Sequence, residues 1–329
     1  MAFLLAAAAM ASGAGSAQEG SAAPGERAPA LAPLGVGPLH IASSADLDIE
    51  RIDVDVTRDA VVASYALRNK GRAALDLAAS FAIAGLQAYA DDGEPWNLPA
   101  ATPDNPIGLS VAAAGAPVAT RAEATAYALG VDRRAEIEAA HLPLLPFGPW
   151  TAQALARLAP ATQEELSSLG IVSPRDPAYP DRPAIADWTL SVVHSWRQPL
   201  PPGKTTRLAV GYAPLRAETR YRHADALDLE DLKDEACLTP PQLAAAQDEL
   251  KTPGSAVAVT EIALVNEPPA RWLDSPAASI SVTKPGPKTI VSFCGMDAGT
   301  ADQPVVRGSE LGGADPRDFR ILFIEPAAR

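Results

Sequence analysis

The stretch Asp187-Trp188-Thr189-Leu190-Ser191-Val192-Val193-His194-Ser195-Trp196-Arg197 decides the fold class. Trp188, Leu190, Val192, His194 and Trp196 fall on one side of an extended chain, opposite Asp187, Thr189, Ser191, Ser195 and Arg197. Side chains alternate across a strand with a period of two, so this spacing predicts a long strand buried on one face. Pro199–Lys204 turns the chain, and Leu208, Val210 and Tyr212 are expected to pair back on the first strand.

The same alternation occurs upstream. Ile49, then Ile52, Val54 and Val56 alternate with Asp48, Asp53 and Asp55, and the parity slips at Arg51, which implies a bulge or break there. Val61, Ala63, Tyr65 and Leu67 form the next apolar face, Asn69-Lys70-Gly71 makes a turn, and Leu75, Leu77, Ala79, Phe81 and Ile83 return as a third strand. Together they predict a meander with one face buried. Val257–Val265, Ser279–Thr283, Thr289–Cys294 and Phe319–Ile324 complete the strands, with Lys284-Pro285-Gly286-Pro287-Lys288 as a rigid hairpin turn. No internal repeat is present.

Between Pro99 and Pro183 the pattern changes. Ile107–Ala112 and Pro117–Thr120 suggest a short hairpin around Ala114-Gly115. Arg121–Leu129, Arg133–His141, Thr151–Leu158 and Thr162–Leu169 have helical composition, with Asp132 an expected N-cap and Thr162 with Glu165 an expected capping box. Gly130 and Gly170 stand where helix C-caps want glycine. This predicts a helical insertion at about 120–170, ended by the Pro-rich loop Ser173–Pro183. A second helical stretch, acidic, is expected over Asp225–Leu250.

Ala2–Met10 is an unbroken apolar run, followed by small residues to Ala17, with Gly15 and Ala17 at the −3 and −1 positions of a peptidase site. That layout predicts an export signal over 1–17, and the run is too short to span a hydrocarbon core of ~30 Å. The Lys or Arg expected before the core is missing, and an Ala-rich tail is the bland alternative. Gln18–Pro33, rich in Pro, Ala, Gly and Ser, reads as a flexible leader. The mature chain, over 34–329, is expected to be one β-rich domain, periplasmic or secreted, with no integral membrane segment after cleavage.

The 329 residues are 47% hydrophobic, so a buried core is feasible, and the net charge is −13. A surface this acidic repels phosphate backbones and anionic headgroups, which argues against nucleic-acid and peripheral-membrane binding. Abundant Ala, Pro, Arg and Asp point to a GC-rich bacterial genome. Cys237 and Cys294 are the two cysteines. In an oxidising compartment a lone pair reads as one disulfide, which would stabilise the fold by roughly 4 kcal/mol in the chain-entropy model. A metal site would want more Cys or His close by, and a catalytic thiol would oxidise after export unless protected.

The chemical signals are weak. His194, between Val192 and Trp196 on an apolar face, is a candidate base with a depressed pKa, or more simply a buried core histidine. Arg220-Tyr221-Arg222-His223 is a cationic patch on an acidic chain; Arg220, Arg222 and His223 can hold an anionic ligand, or form a solvated strand edge beside Asp225 and Asp228. The acidic run Asp225, Asp228, Glu230, Asp231, Asp234 and Glu235 lacks the residue order of an EF-hand loop. His40 and His141 have no partners at informative spacing, and no metal or cofactor is expected. Gly108-Leu109-Ser110-Val111-Ala112 lacks the second glycine of a nucleophile elbow, and no Rossmann or Walker motif survives.

Three stretches carry a resemblance. Val61–Ile83 with Tyr65-Ala66-Leu67-Arg68-Asn69 is the first, and Trp188–Tyr212 with Trp196 and Pro202-Gly203-Lys204 the second. The third joins Cys237, Val291-Ser292-Phe293-Cys294-Gly295 and Asp318-Phe319-Arg320-Ile321-Leu322. The chain resembles a family of exported bacterial proteins catalogued only as a domain of unknown function. The similarity covers most of Leu34–Ile324, including Ala128-Leu129-Gly130, and the Val-Ser-Phe-Cys piece is its most specific part. The polar Asn-Asp-Ser start of that family is absent here. The resemblance implies export, a β-rich fold and a disulfide, and offers no catalytic residues.

The expectation is therefore a mainly antiparallel β-sandwich-like domain with a helical insertion and one disulfide. Its expected role is a non-catalytic envelope module that binds a partner protein or ligand. The alternative is an envelope hydrolase using carboxylates with His194 or His223. An exposed apolar or aromatic patch near Trp150 or Trp272 would favour the first, and a cleft of convergent titratable groups the second.

Overall fold

The computed structural model describes residues 36–42, 44–88, 102–173, 184–214, 216–222, 229, 232–251, 254–264, 278–297, 299–308 and 319–327. The readings placed on residues 1–33, on 174–183, on His223, Asp225 and Asp228, on Glu230 and Asp231, and on Trp272 lie outside them. In chain order, alternating sequence gives β1 (Val36–Ile41), β2 (Leu47–Val56), β3 (Val61–Asn69) and β4 (Leu75–Leu86). A short hairpin, β5 (Ser110–Ala113) and β6 (Ala116–Pro117), precedes β7 (Arg121–Ala128) and β8 (Val131–Asp132). Helices α1 (Arg134–Ala139), α2 (Pro149–Ala156) and α3 (Pro160–Ser168) follow, then β9 (Val172–Ser173) and β10 (Ile185–Ala186). The long strand read first is β11 (Thr189–Leu200), succeeded by β12 (Thr205–Tyr212) and β13 (Arg216–Arg222). Helices α4 (Leu232–Glu235) and α5 (Pro240–Glu249) lead to β14 (Ala256–Leu264), β15 (Ala278–Thr283), β16 (Ile290–Ser292), β17 (Val305–Gly308) and β18 (Phe319–Pro326).

Among the described residues three larger sheets result, in the orders β1-β4-β11-β7-β8, β17-β15-β2-β3-β12-β5-β6 and β13-β14-β18-β16, and β9 and β10 pair with each other. The pairings are antiparallel except for β15 on β2. The parity slip at Arg51 is a register shift between Ile49 and Arg51 where β2 meets β3. The five- and seven-stranded sheets face each other. Leu39, Phe81, Ile83, Val192 and Trp196 of one meet Ile52, Tyr65, Leu208 and Val210 of the other. The rings of Phe81 and Tyr212 are 5.6 Å apart across this layer. Each such side chain, fully buried, stabilises by roughly 1.5–3 kcal/mol.

The far end of the seven-stranded sheet packs Val56, Val61, Val282 and Val306 on Ile262, Val291, Ile321 and Phe323 of the four-stranded sheet. That sheet buries its opposite face too, where Val257, Val259, Leu322 and Ile324 meet Leu232, Leu238, Ala246 and Leu250 around α4 and α5. Cys237 and Cys294 are bonded across this layer, with Cα atoms 5.0 Å apart. Beside the bridge, the Ser292 hydroxyl donates to the Ala236 carbonyl at 2.9 Å.

Several expectations require correction. Arg121–Ala128 is a strand, not a helix. Its alanines favour a helix locally, but Ala122, Ala124, Ala126 and Ala128 alternate with Arg121, Glu123, Thr125 and Tyr127. The small face packs into the core while the backbone pairs with β11, so tertiary pairing overrides propensity. The turn Leu129-Gly130, with φ of 50° and 76°, is a primed hairpin turn rather than a helix C-cap. The helical part accordingly runs from α1 to α3. Asp132 accepts the Arg134 backbone N–H at 3.0 Å, although the N-cap position belongs to Arg133. Helix α3 starts at Pro160 after Ala159, without the expected Thr162–Glu165 box. A capping box is found instead at α5, between Thr239 and Gln242.

The meander and both later hairpins are also corrected. β3 and β4, β11 and β12, and β15 and β16 lie in different sheets. Each connection crosses the sandwich, because strands with one apolar face bury it equally well against a facing sheet. Asn69 binds the first two crossings together. Its side-chain amide donates to the Ala73 and Leu200 carbonyls at 2.8 and 2.9 Å, and its oxygen accepts the Gly71 N–H at 2.9 Å. Its own backbone N–H donates to the Lys204 carbonyl at 3.1 Å. Trp188 anchors the helical part likewise: its indole N–H donates to the Leu144 carbonyl at 2.7 Å.

Candidate functional site

His194 is on the inner face of β11, 2% exposed, between Phe81 on β4 and Ala122 on β7. Its Nδ1 is 3.3 Å from the Thr120 hydroxyl, and Nε2 has no hydrogen-bond partner among the described residues. Burial lowers the imidazole pKa, and the Asp104 carboxylate offsets part of that effect. The ring is therefore a neutral core group, screened from solvent. Burial also raises the phenol pKa values of Tyr65 and Tyr212 in the same interior.

Arg220 and Arg222 project from β13, which among the described residues pairs with β14 alone and forms an edge of the four-stranded sheet. Both are exposed, and the Arg220 guanidinium lies 4.0 Å from Glu218. Among the described residues no three His, Cys, Asp or Glu side chains converge as a metal site. Trp150, in the first turn of α2, is 69% exposed.

Sequence reading missed a groove on the outer face of the five-stranded sheet. It has a volume of about 650 Å3, within the usual range for small-molecule sites. Strand pairing builds it. His40 on β1 is opposite Ser80 on β4, Ser80 opposite Ser195 on β11, and Ser195 opposite Arg121 on β7. One polar row thus crosses four strands, with neighbours ~4.5–5.5 Å apart at Cβ. The exposed Ala42 and Ala78, on the same outer face, supply the apolar part of the floor, and Arg197 closes one side. Arg197 is held there by Asp76, whose carboxylate oxygen accepts Nε and Nη2 at 3.1 and 2.9 Å. The Ser195 hydroxyl donates to the Arg121 carbonyl at 3.4 Å. Reading β7 as a helix hid Arg121 from this row. The polar parity of β11 was its one visible sign.

The class defined by this architecture is a β-rich sandwich with a disulfide-braced third layer and a ligand-sized groove on the outer face of one sheet. Residues 30–306 match the family described as Domain of unknown function (DUF4424), and the chain belongs to that family. No curated protein matches the sequence. Among solved structures, the chain is similar to a Legionella pneumophila subsp. pneumophila str. Philadelphia 1 protein described as a "putative nutrient binding protein". That match has 8% identity and a TM-score of 0.39, and covers 88% of this chain and 70% of the other. Among the described residues no helix is long and apolar enough to cross a membrane.

Proposed function

We propose that this protein is an exported, non-catalytic binding module of the bacterial envelope, and that the groove on the five-stranded sheet is its recognition site. The observation that carries this reading is the groove itself, with a polar row over an apolar floor on a rigid four-strand platform. Sites mounted on paired strands are held more firmly than sites on loops. The bonded Cys237–Cys294 pair supports an oxidising compartment. Arg220 and Arg222 at the β13 edge form a secondary contact surface in the same reading. A hydrolase built on His194 draws no support from a ring that is buried and hydrogen-bonded to Thr120.

The test is native mass spectrometry of the protein recovered from a bacterial periplasm, as wild type and as Ser80→Trp, which fills the groove. The expected result is a retained small molecule in the wild type that is missing from a folded Ser80→Trp variant. Equal retention by both proteins would place recognition elsewhere. An empty wild type would remove the groove reading.

A further inference from the structure

We propose that the groove selects a small organic anion, with an apolar body on the Ala42 and Ala78 methyls and an anionic head beside Arg121, Ser80 and Ser195. The inference rests on the reading of the groove as the recognition site and goes beyond it by naming the ligand's chemistry.

The argument is charge selection. The chain carries 40 acidic against 27 basic residues, so an average stretch of surface repels anions. The groove inverts that balance: Arg121 and Arg197 line it, with no Asp or Glu among the lining residues. Arg197 is engaged by Asp76, which fixes its position and removes most of its net charge. Arg121 is exposed at the end of the row, and its side chain has no ion-pair partner among the described residues. It supplies a planar fork suited to a carboxylate or phosphate oxygen pair. Ser80, adjacent to Ser195 across two strands, adds a hydroxyl donor on the same face, and the Ser195 hydroxyl, which donates to the Arg121 carbonyl, keeps that segment of the row in place. A free inorganic ion would use only this polar end. The apolar floor gains from contact with hydrocarbon, so the complementary ligand carries both parts.

The experiment is a two-dimensional amide NMR titration of the isotopically labelled mature protein with three probes: hexanoate, hexanamide and inorganic phosphate. The expected result is saturable shifts for Ser80, Arg121 and Ser195 with hexanoate, and about tenfold weaker binding of hexanamide. Phosphate should bind more weakly than hexanoate. Arg121→Gln, at an exposed position, should keep the spectrum of the folded protein and weaken hexanoate about tenfold. Hexanamide binding as well as hexanoate would overturn the anion assignment while leaving the groove reading intact. Phosphate binding as tightly as hexanoate would overturn the apolar-body assignment. Shifts with none of the probes would overturn the ligand class, and the Ser80→Trp comparison would then decide the groove reading by itself.

Discussion

His194 shows how burial turns a titratable side chain into a stability switch. Its pKa lies below the ordinary imidazole value of 6.5 because burial penalises the charged ring. Between that lowered value and about 6.5, the unfolded chain binds a proton that the folded chain does not. Stability from this residue is therefore complete above the unfolded pKa and falls as pH drops through it toward the folded pKa. Urea unfolding midpoints measured from pH 8 to pH 5 should decline on the acid side. His194→Leu should flatten that decline selectively near pH 6. An unchanged profile in a folded variant would remove His194 as the source.

At the scale of elements, the crossings between sheets matter more than the strands they join. Strand composition alone does not say whether successive strands pair side by side or face each other. Here the β3–β4 and β11–β12 connections both cross at one end, and Asn69, fully buried, hydrogen-bonds to both. Asn69→Ala would leave the Ala73 and Leu200 carbonyls without these donors and release the Gly71 turn. Unpaired buried acceptors cost roughly 1–3 kcal/mol each, less where water reaches them. A loss of about 2–4 kcal/mol in chemical unfolding is expected. Asn69→Asp, which keeps the acceptor for Gly71 but loses both donors, should recover only a small part. Strand β7 belongs to the same lesson. Its alanines were legible as residues, but whether they line a helix or a core-facing strand depended on β11 being alongside.

Across the whole molecule, stability is divided among three core layers, and the disulfide belongs to the third. It closes a separation of 57 residues and joins the segment after α4 to the end of β16. In the chain-entropy model this stabilises by about 4 kcal/mol. Unreduced protein should show no alkylatable thiol by intact mass. Reduction, or the Cys237→Ser and Cys294→Ser pair, should lower the unfolding free energy by about 2–4 kcal/mol. Hydrogen exchange should rise first in α5 and β16, where the bridge and Ser292 hold the layer. The sandwich between the five- and seven-stranded sheets should keep its protection. Loss of protection spread evenly over all sheets would contradict this division into layers.

The sequence by itself determined the class of fold, because a period of two in apolar residues admits few structures other than half-buried strands. It also determined the β2 bulge at Arg51, the hairpin at Ala114-Gly115 and the pairing of the two cysteines. These are local patterns, or follow from there being one pair to form. The tertiary structure alone decided which strands are neighbours, and so gathered His40, Ser80, Arg121, Ser195 and Arg197 into one groove. Those five residues come from four strands and share no sequence spacing. Alternation says which way a side chain points, but only the register between distant strands says what it points beside.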